Sequence, residues 1–267
     1  MKKVIYLALL FVSSGVIAQE EEKKDTTRVN LKNIEIILID HSDDISVDTI
    51  DAAPDEDEKN KYEAHWAGID MGFSMMTNGQ FKTSFDNYPY WKNDPARSMT
   101  WNLNLLEHKF GIAHEYFGIT TGLGFSFTQL AFRDNYVLNS TPDTLFAAID
   151  TVIDFSKNKL KAAYLTVPLL LEFCTNKDAD KSFYLAAGVV AGVRIASKIK
   201  REGEIDGKEF EQKNKGVYGL NSFKLDGTVR LGYGSWGAFA SYSLLPLFDV
   251  AKTVEVYPLT FGLSLNF

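Results

Sequence analysis

Four histidines, one cysteine and a run of aspartates are the residue types here that could support nucleophilic or metal chemistry. A hydrolase commonly announces its nucleophile in a G-x-S-x-G turn, or its zinc in an H-E-x-x-H helix. Neither motif occurs. His41 lies in an acidic stretch, while His65, His108 and His114 fall at expected strand ends and read as interface residues. His108 and His114 flank an expected turn and could face each other, but no third ligand accompanies them. A lone Cys174 excludes an intrachain disulfide and any cysteine-cluster metal site. Asp40, Asp43, Asp44, Asp48 and Asp51 offer the hard oxygen ligands that calcium takes. They lack the D-x-[DN]-x-[DN]-G spacing and any glycine to turn the loop, so they read as a solvated acidic segment. No catalytic residue, metal site or cofactor is therefore expected, and the chain does not read as an enzyme.

The elements around these residues come in three parts. Lys2 and Lys3 precede the apolar run Val4 to Val12, and Val16-Ile17-Ala18 supplies small residues for cleavage after Ala18, as in a secretory signal peptide (1–18). Residues 20–61 hold 14 acidic and 6 basic side chains and no glycine, which makes 19–61 an acidic extension, partly disordered. The body, 62–267, is nearly neutral and rich in glycine and aromatics. With 45% hydrophobic residues the chain is too apolar to be disordered, and its net charge of −7 argues against a nucleic-acid partner.

In the body the dominant period is two, which is the period of strands. Phe117, Ile119, Leu123, Phe125 and Phe127 share one face, with Gly118, Thr120, Gly122, Gly124 and Ser126 on the other. Phe223, Leu225, Val229, Leu231 and Tyr233 likewise oppose Lys224, Asp226, Thr228, Arg230 and Gly232. Small residues cover a solvent-facing surface poorly but fit the crowded interior of a narrow barrel. A transmembrane barrel turns its apolar face to lipid and its polar face inward. Closure also satisfies every backbone group without water. The fold expected is all-β, an eight-stranded antiparallel transmembrane β-barrel with an N-terminal periplasmic extension.

Strands are expected at 66–76, 98–107, 111–130, 160–173, 182–199, 217–234, 236–248 and 256–267. The connections alternate long (77–97, 131–159, 200–216, 249–255) and short (108–110, 174–181, 235), as outer loops and periplasmic turns do. Both termini then lie on the periplasmic side. Pro168 should break or bulge its strand. Leu145 to Asp154 could add a hairpin to the second outer loop, leaving eight strands rather than ten in the membrane.

This register points Asp70, Glu172, Arg194, Lys224, Asp226 and Arg230 into the lumen, where a paired charge network would plug a barrel only wide enough for side chains. Trp66, Trp101, Trp236, Tyr233, Tyr242, Tyr257, Phe173, Phe183 and Phe267 are expected to form headgroup-level girdles. The apolar run Asn33 to Asp40 is a candidate for adding to a partner's sheet.

Tyr164-Leu165-Thr166-Val167-Pro168-Leu169-Leu170-Leu171, with the Phe183 to Gly188 and Gly192-Val193-Arg194 stretch after it, resembles PorT-like outer-membrane β-barrel proteins. The closing Tyr257, Leu259, Phe261, Leu263, Leu265 and Phe267 resemble the C-terminal signal read by the barrel-assembly machinery. The resemblance implies residence in the cell outer membrane among its lipids, and carries over no catalytic residue. The role expected is a scaffold or interaction module with a side-chain-filled lumen and a periplasmic or surface protein partner, outer loops such as Phe81 to Trp91 and Leu145 to Phe155 offering the contacts. A narrow transport pore or an outer-membrane lipid- or peptide-modifying enzyme is the alternative.

Overall fold

The computed structural model describes residues 64–267, apart from 86, 114–115, 134 and 206–207, and the backbone of 26–31, 34–41 and 44–51. The expected signal peptide and His114 lie outside the described residues. The chain divides into two units, 1–61 and 62–267. In the first, β1 (Thr26–Leu31), β2 (Ile34–His41) and β3 (Asp44–Asp51) form an antiparallel meander in the order β1-β2-β3. The apolar run assigned to a partner's sheet is thus the central strand, with both edges already paired within the chain.

The second unit is a closed barrel of eight strands: β4 (Gly68–Thr77), β5 (Met99–Ala113), β6 (Phe117–Ala131), β9 (Asp154–Cys174), β10 (Phe183–Ile205), β12 (Phe223–Tyr233), β13 (Trp236–Ser243) and β14 (Tyr257–Asn266). Each pairs antiparallel with its neighbours, and β14 closes on β4. Between β6 and β9, β7 (Tyr136–Ser140) and β8 (Leu145–Ile149) form a separate hairpin in the second long loop. β11 (Lys208–Lys215) adds to the far end of β10.

Alternation decides which way each strand faces. On β4, Ile69, Met71 and Phe73 are more than 40% exposed while Asp70, Gly72 and Ser74 are buried. On β12 and β14, Leu231 and Leu263 are 56% and 64% exposed, against 1% each for Arg230 and Ser264. An apolar surface continued around all eight strands far exceeds what soluble monomers expose, and is the lipid face of the barrel. The small inward residues make room for large ones. A methyl group on Gly72 would stand 3.0 Å from the Phe239 ring, and one on Gly237 2.0 Å from the Tyr184 hydroxyl. Gly234, with φ of +52°, turns β12 tightly into β13 in the left-handed conformation that glycine adopts freely.

The first short connection departs from expectation, whereas Pro168 meets it with a local break in pairing. The turn placed at 108–110 is strand instead: β5 runs on to Ala113, β6 begins at Phe117, and β5 carries a bulge between Asn104 and Leu106. Leu105 and Leu106 both point outward there, and the inward parity passes from even to odd residues. Pro168 interrupts the β6–β9 bridges without a bulge; pairing resumes in the same register at Gly124 and Thr166. Its carbonyl accepts from the Thr121 hydroxyl at 2.9 Å.

Candidate functional site: a layered lumen under an apolar cap

At the end with the short turns, residues 64–67 enter the barrel. The Glu107 carboxylate holds them by accepting the backbone N–H of Trp66 (2.9 Å) and Ala67 (2.6 Å). This brings His65 onto Glu172, which is fully buried on β9. Glu172 accepts from His65 Nδ1 at 2.9 Å, Lys109 Nζ at 3.2 Å, Thr120 Oγ1 at 2.7 Å and Cys174 Sγ at 3.2 Å. The other imidazole nitrogen of His65 donates to the Ala179 carbonyl at 3.2 Å, and the ring stacks on Tyr184 with centroids 4.1 Å apart.

With acceptors at both nitrogens, the imidazole is held as the cation. Burial pulls its pKa down, but hydrogen bonds to Cys174 and Glu172, with the Glu172 charge, outweigh this and raise it to about 9. His65 therefore contributes stability that is complete below 6.5, its ordinary value, and lost as pH rises through about 9. Urea midpoints of the refolded barrel, measured across that window, are expected to fall more steeply for the wild type than for His65→Gln.

His65, Glu172 and Cys174 bring potential metal-ligating atoms within 4.8 Å of one another. Both imidazole nitrogens are engaged as donors, however, and the Lys109 ammonium already touches Glu172 and Cys174 (3.0 Å to Sγ). An ion would have to displace that charge, so the cluster is better matched to an ammonium than to a metal.

The middle layer is an ion pair. Arg230 donates to both oxygens of Asp70 at 2.8 and 2.9 Å, and Asn102 and Asn104 also donate to that carboxylate. Arg230 continues to Asn266 (3.2 Å), whose amide reaches the Tyr184 hydroxyl (2.8 Å). The Trp66 ring lies 5.2 Å from the guanidinium, a cation–π distance. Above it, Lys224 pairs with Asp226 at 2.7 Å beside the Tyr164 ring, and Ser243 donates to Asp226. A small cavity of about 50 Å³ adjoins this layer, enough for a few waters.

At the loop end the polar layers give way to an apolar core. Trp91, Phe248, Met76 and Val256 are fully buried there with Leu130, Leu160 and Leu145. The Trp91 and Phe248 rings pack tilted, with centroids 4.4 Å apart, and Trp91 donates its indole N–H to Thr253 at 3.1 Å. The loops thus fold inward to stop the barrel, as a soluble domain folds around its centre.

Of the six lumen charges expected, Asp70, Arg230, Lys224, Asp226 and Glu172 join these layers. Arg194 does not: it is half-buried at the loop end and donates to Ser197 and the Asn221 carbonyl. Other expectations are corrected. Trp66 lines the lumen rather than a girdle, because Glu107 draws its backbone inside. His65 is a buried partner of Glu172, not an interface residue. His108 sits within β5 and faces outward beside Phe110. Phe85, Trp91 and Leu145, assigned to outer contacts, are buried in the cap, whereas Phe81, Phe146 and Val152 remain exposed.

Trp101, Phe173, Phe183, Tyr233, Trp236 and Phe267 point outward, with Phe183 on Tyr233 at 4.7 Å; Tyr242 and Tyr257 are half-buried and stack at 6.0 Å. The closing segment places Phe261, Leu263, Leu265 and Phe267 outward as well. Reading the sequence missed His65, Glu107 and Lys109. The Leu105-Leu106 doublet was the available signal, since a bulge there turns Glu107 and Lys109 inward.

A closed eight-stranded barrel with a lipid-compatible exterior and a charged, occluded interior defines an integral membrane barrel. The outer membrane protein β-barrel domain matches residues 67–252, and the chain belongs to that family. No curated protein matches it. Among solved structures it is similar to Ail, the attachment invasion locus protein of Yersinia pestis, at 16% identity and a TM-score of 0.30, covering 75% of this chain and 99% of that one. Ail in complex with the heparin analogue sucrose octasulfate is similar at 14% identity and a TM-score of 0.31, with 75% and 95% covered.

Proposed function

We propose that the protein is a non-conducting outer-membrane scaffold that presents its loop-end surface to a partner, with both termini in the periplasm. The observation that carries this reading is the double closure of the lumen: three salt-bridged layers beneath a loop core with Trp91 and Phe248 fully buried. A conduit would need neither, and the cap removes access from the loop side to any chemistry at Cys174 and His65. The contact surface is the hairpin β7–β8 with the projecting ends of β9, β10 and β11, where Phe146, Ile149 and Val152 are exposed. Export through the N-terminal leader and assembly through the β14 signal fit this role, and the β9–β10 motif supports a PorT-like place within the family. A partner sheet joining the extension would use the outer edge of β1 or β3.

Planar-bilayer recording tests the central claim. The refolded full chain is expected to give no steady single-channel steps; large, persistent currents would overturn the scaffold reading in favour of a pore.

A further inference from the structure

The outward face of β9, β10 and β11 carries a lysine array where the lipid-facing band ends. Register places Lys161 opposite Lys198, and Lys198 opposite Lys215; the next rung is Lys159, Lys200 and Lys213. Directly opposed side chains on neighbouring strands stand roughly 5 Å apart at Cβ, where like charges repel. Glu202 and Glu211, one rung further, pair with Lys157, Lys200 and Lys213. Lys159, Lys161, Lys198 and Lys215 have no carboxylate within ion-pair distance among the described residues. The strands thus set four cations side by side without a direct ion pair; Asp94 and Glu202 act on Lys159, and Glu202 on Lys161, only from a distance.

Their height identifies what compensates them. A strand rising about 3.3 Å per residue at a tilt of about 40° advances roughly 2.5 Å per residue along the membrane normal, so a band about 25 Å tall takes about ten residues. Counted from Phe173, which is 50% exposed, that band ends near Ala163, and the next outward residue is Lys161. Counted from Phe183 on β10 it ends near Val193, below Ile195 and then Lys198. On β9 the lysines begin about 5 Å beyond the band, and the pairing of Lys161 with Lys198 sets the β10 lysine at the same height.

We propose that this array is a binding site for phosphorylated lipid headgroups of the leaflet at the loop end, the phosphates bridging the Lys159–Lys161 and Lys198–Lys215 ammoniums. With the loops outside, as in the proposed function on which this assignment of leaflet rests, the ligand is the phosphorylated glycolipid of the outer leaflet. Bridging phosphates convert a repulsive face into charge-assisted contacts and fix the projecting strands against the bilayer.

The test uses the full chain refolded in zwitterionic detergent and titrated with lipid A, phosphatidylcholine or inorganic phosphate. Retained lipid is read by native mass spectrometry, and the thermal transition by heat-modifiable gel migration. Lipid A is expected to bind and raise the transition. The Lys159→Gln/Lys161→Gln/Lys198→Gln variant should bind at least about tenfold more weakly. Its lipid-free transition should not fall, since substitution removes repulsion. A control with the same charge change, Lys82→Gln/Lys92→Gln/Lys208→Gln, should keep wild-type binding. Equal binding by the first variant, equal retention of phosphatidylcholine, or displacement of lipid A by inorganic phosphate at matched concentration would overturn the site. Labelling of Asp143→Cys in intact cells by an impermeant thiol reagent tests the orientation separately: no labelling overturns the outer-leaflet source, while the detergent result still decides the phosphate site.

Discussion

Replacing Asp70 by alanine is expected to cost the barrel about 3–5 kcal/mol, the penalty of leaving one half of a buried ion pair alone. Arg230 is 1% exposed, and its Nε already lacks a hydrogen-bond partner. Without Asp70 it keeps only Asn266 and the face of Trp66 against a full charge. Asn102 and Asn104 lose their acceptor in the same step. Urea unfolding of the refolded protein, followed by tryptophan fluorescence, should show the midpoint fall with Asp70→Ala and fall similarly with Arg230→Ala. The double variant Asp70→Leu/Arg230→Met separates pairing from packing. Apolar replacements of similar volume often match or exceed a buried pair, so the double variant should recover most of the loss. If Asp70→Ala unfolds at the wild-type midpoint, the layer is solvated and does not hold the barrel shut.

Much of this architecture was legible because a membrane barrel writes its orientation into the sequence with period two. Leu231 and Arg230 are neighbours in the chain, yet sit on opposite sides of the wall, and alternation alone assigns them. The same rule paired Lys224 with Asp226 on one face and set Asp70 inward. It failed where one residue was added: the bulge at Leu105 reverses parity, which hid Glu107 and Lys109. His65 and Trp66 were illegible for another reason. They precede β4 and have no strand register of their own; the Glu107 carboxylate on a different strand decides their position. Arg194 sits next to a register shift between Arg194 and Ala196, so its inward direction leads to the loop base rather than the charged layers.

The loops hid their structure most completely. Aromatic loop residues suit an exposed contact surface and a buried core equally well, and only long-range packing chooses between them. Phe81, with φ of +61°, points out beside Tyr242, while Trp91 ten residues later is fully buried. This makes the cap the second place where a large effect is expected. Trp91→Ala and Phe248→Ala should each cost about 3–5 kcal/mol of loop-end packing, as truncation of buried aromatics does. The barrel beneath is held by strand pairing and by its own charged layers, so the loss should remain local. Limited proteolysis should then cut within 78–98 or 244–256 at least about a hundredfold faster than in the wild type, since 1.4 kcal/mol is a factor of ten in the open population. A resistant, heat-modifiable barrel should survive the cut, and bilayers should stay silent because Asp70–Arg230 and Glu172–Lys109 still obstruct the lumen. Conductance after loss of the cap alone would assign the seal to the loops; wholesale unfolding would show that the loop core and the membrane wall are a single cooperative unit.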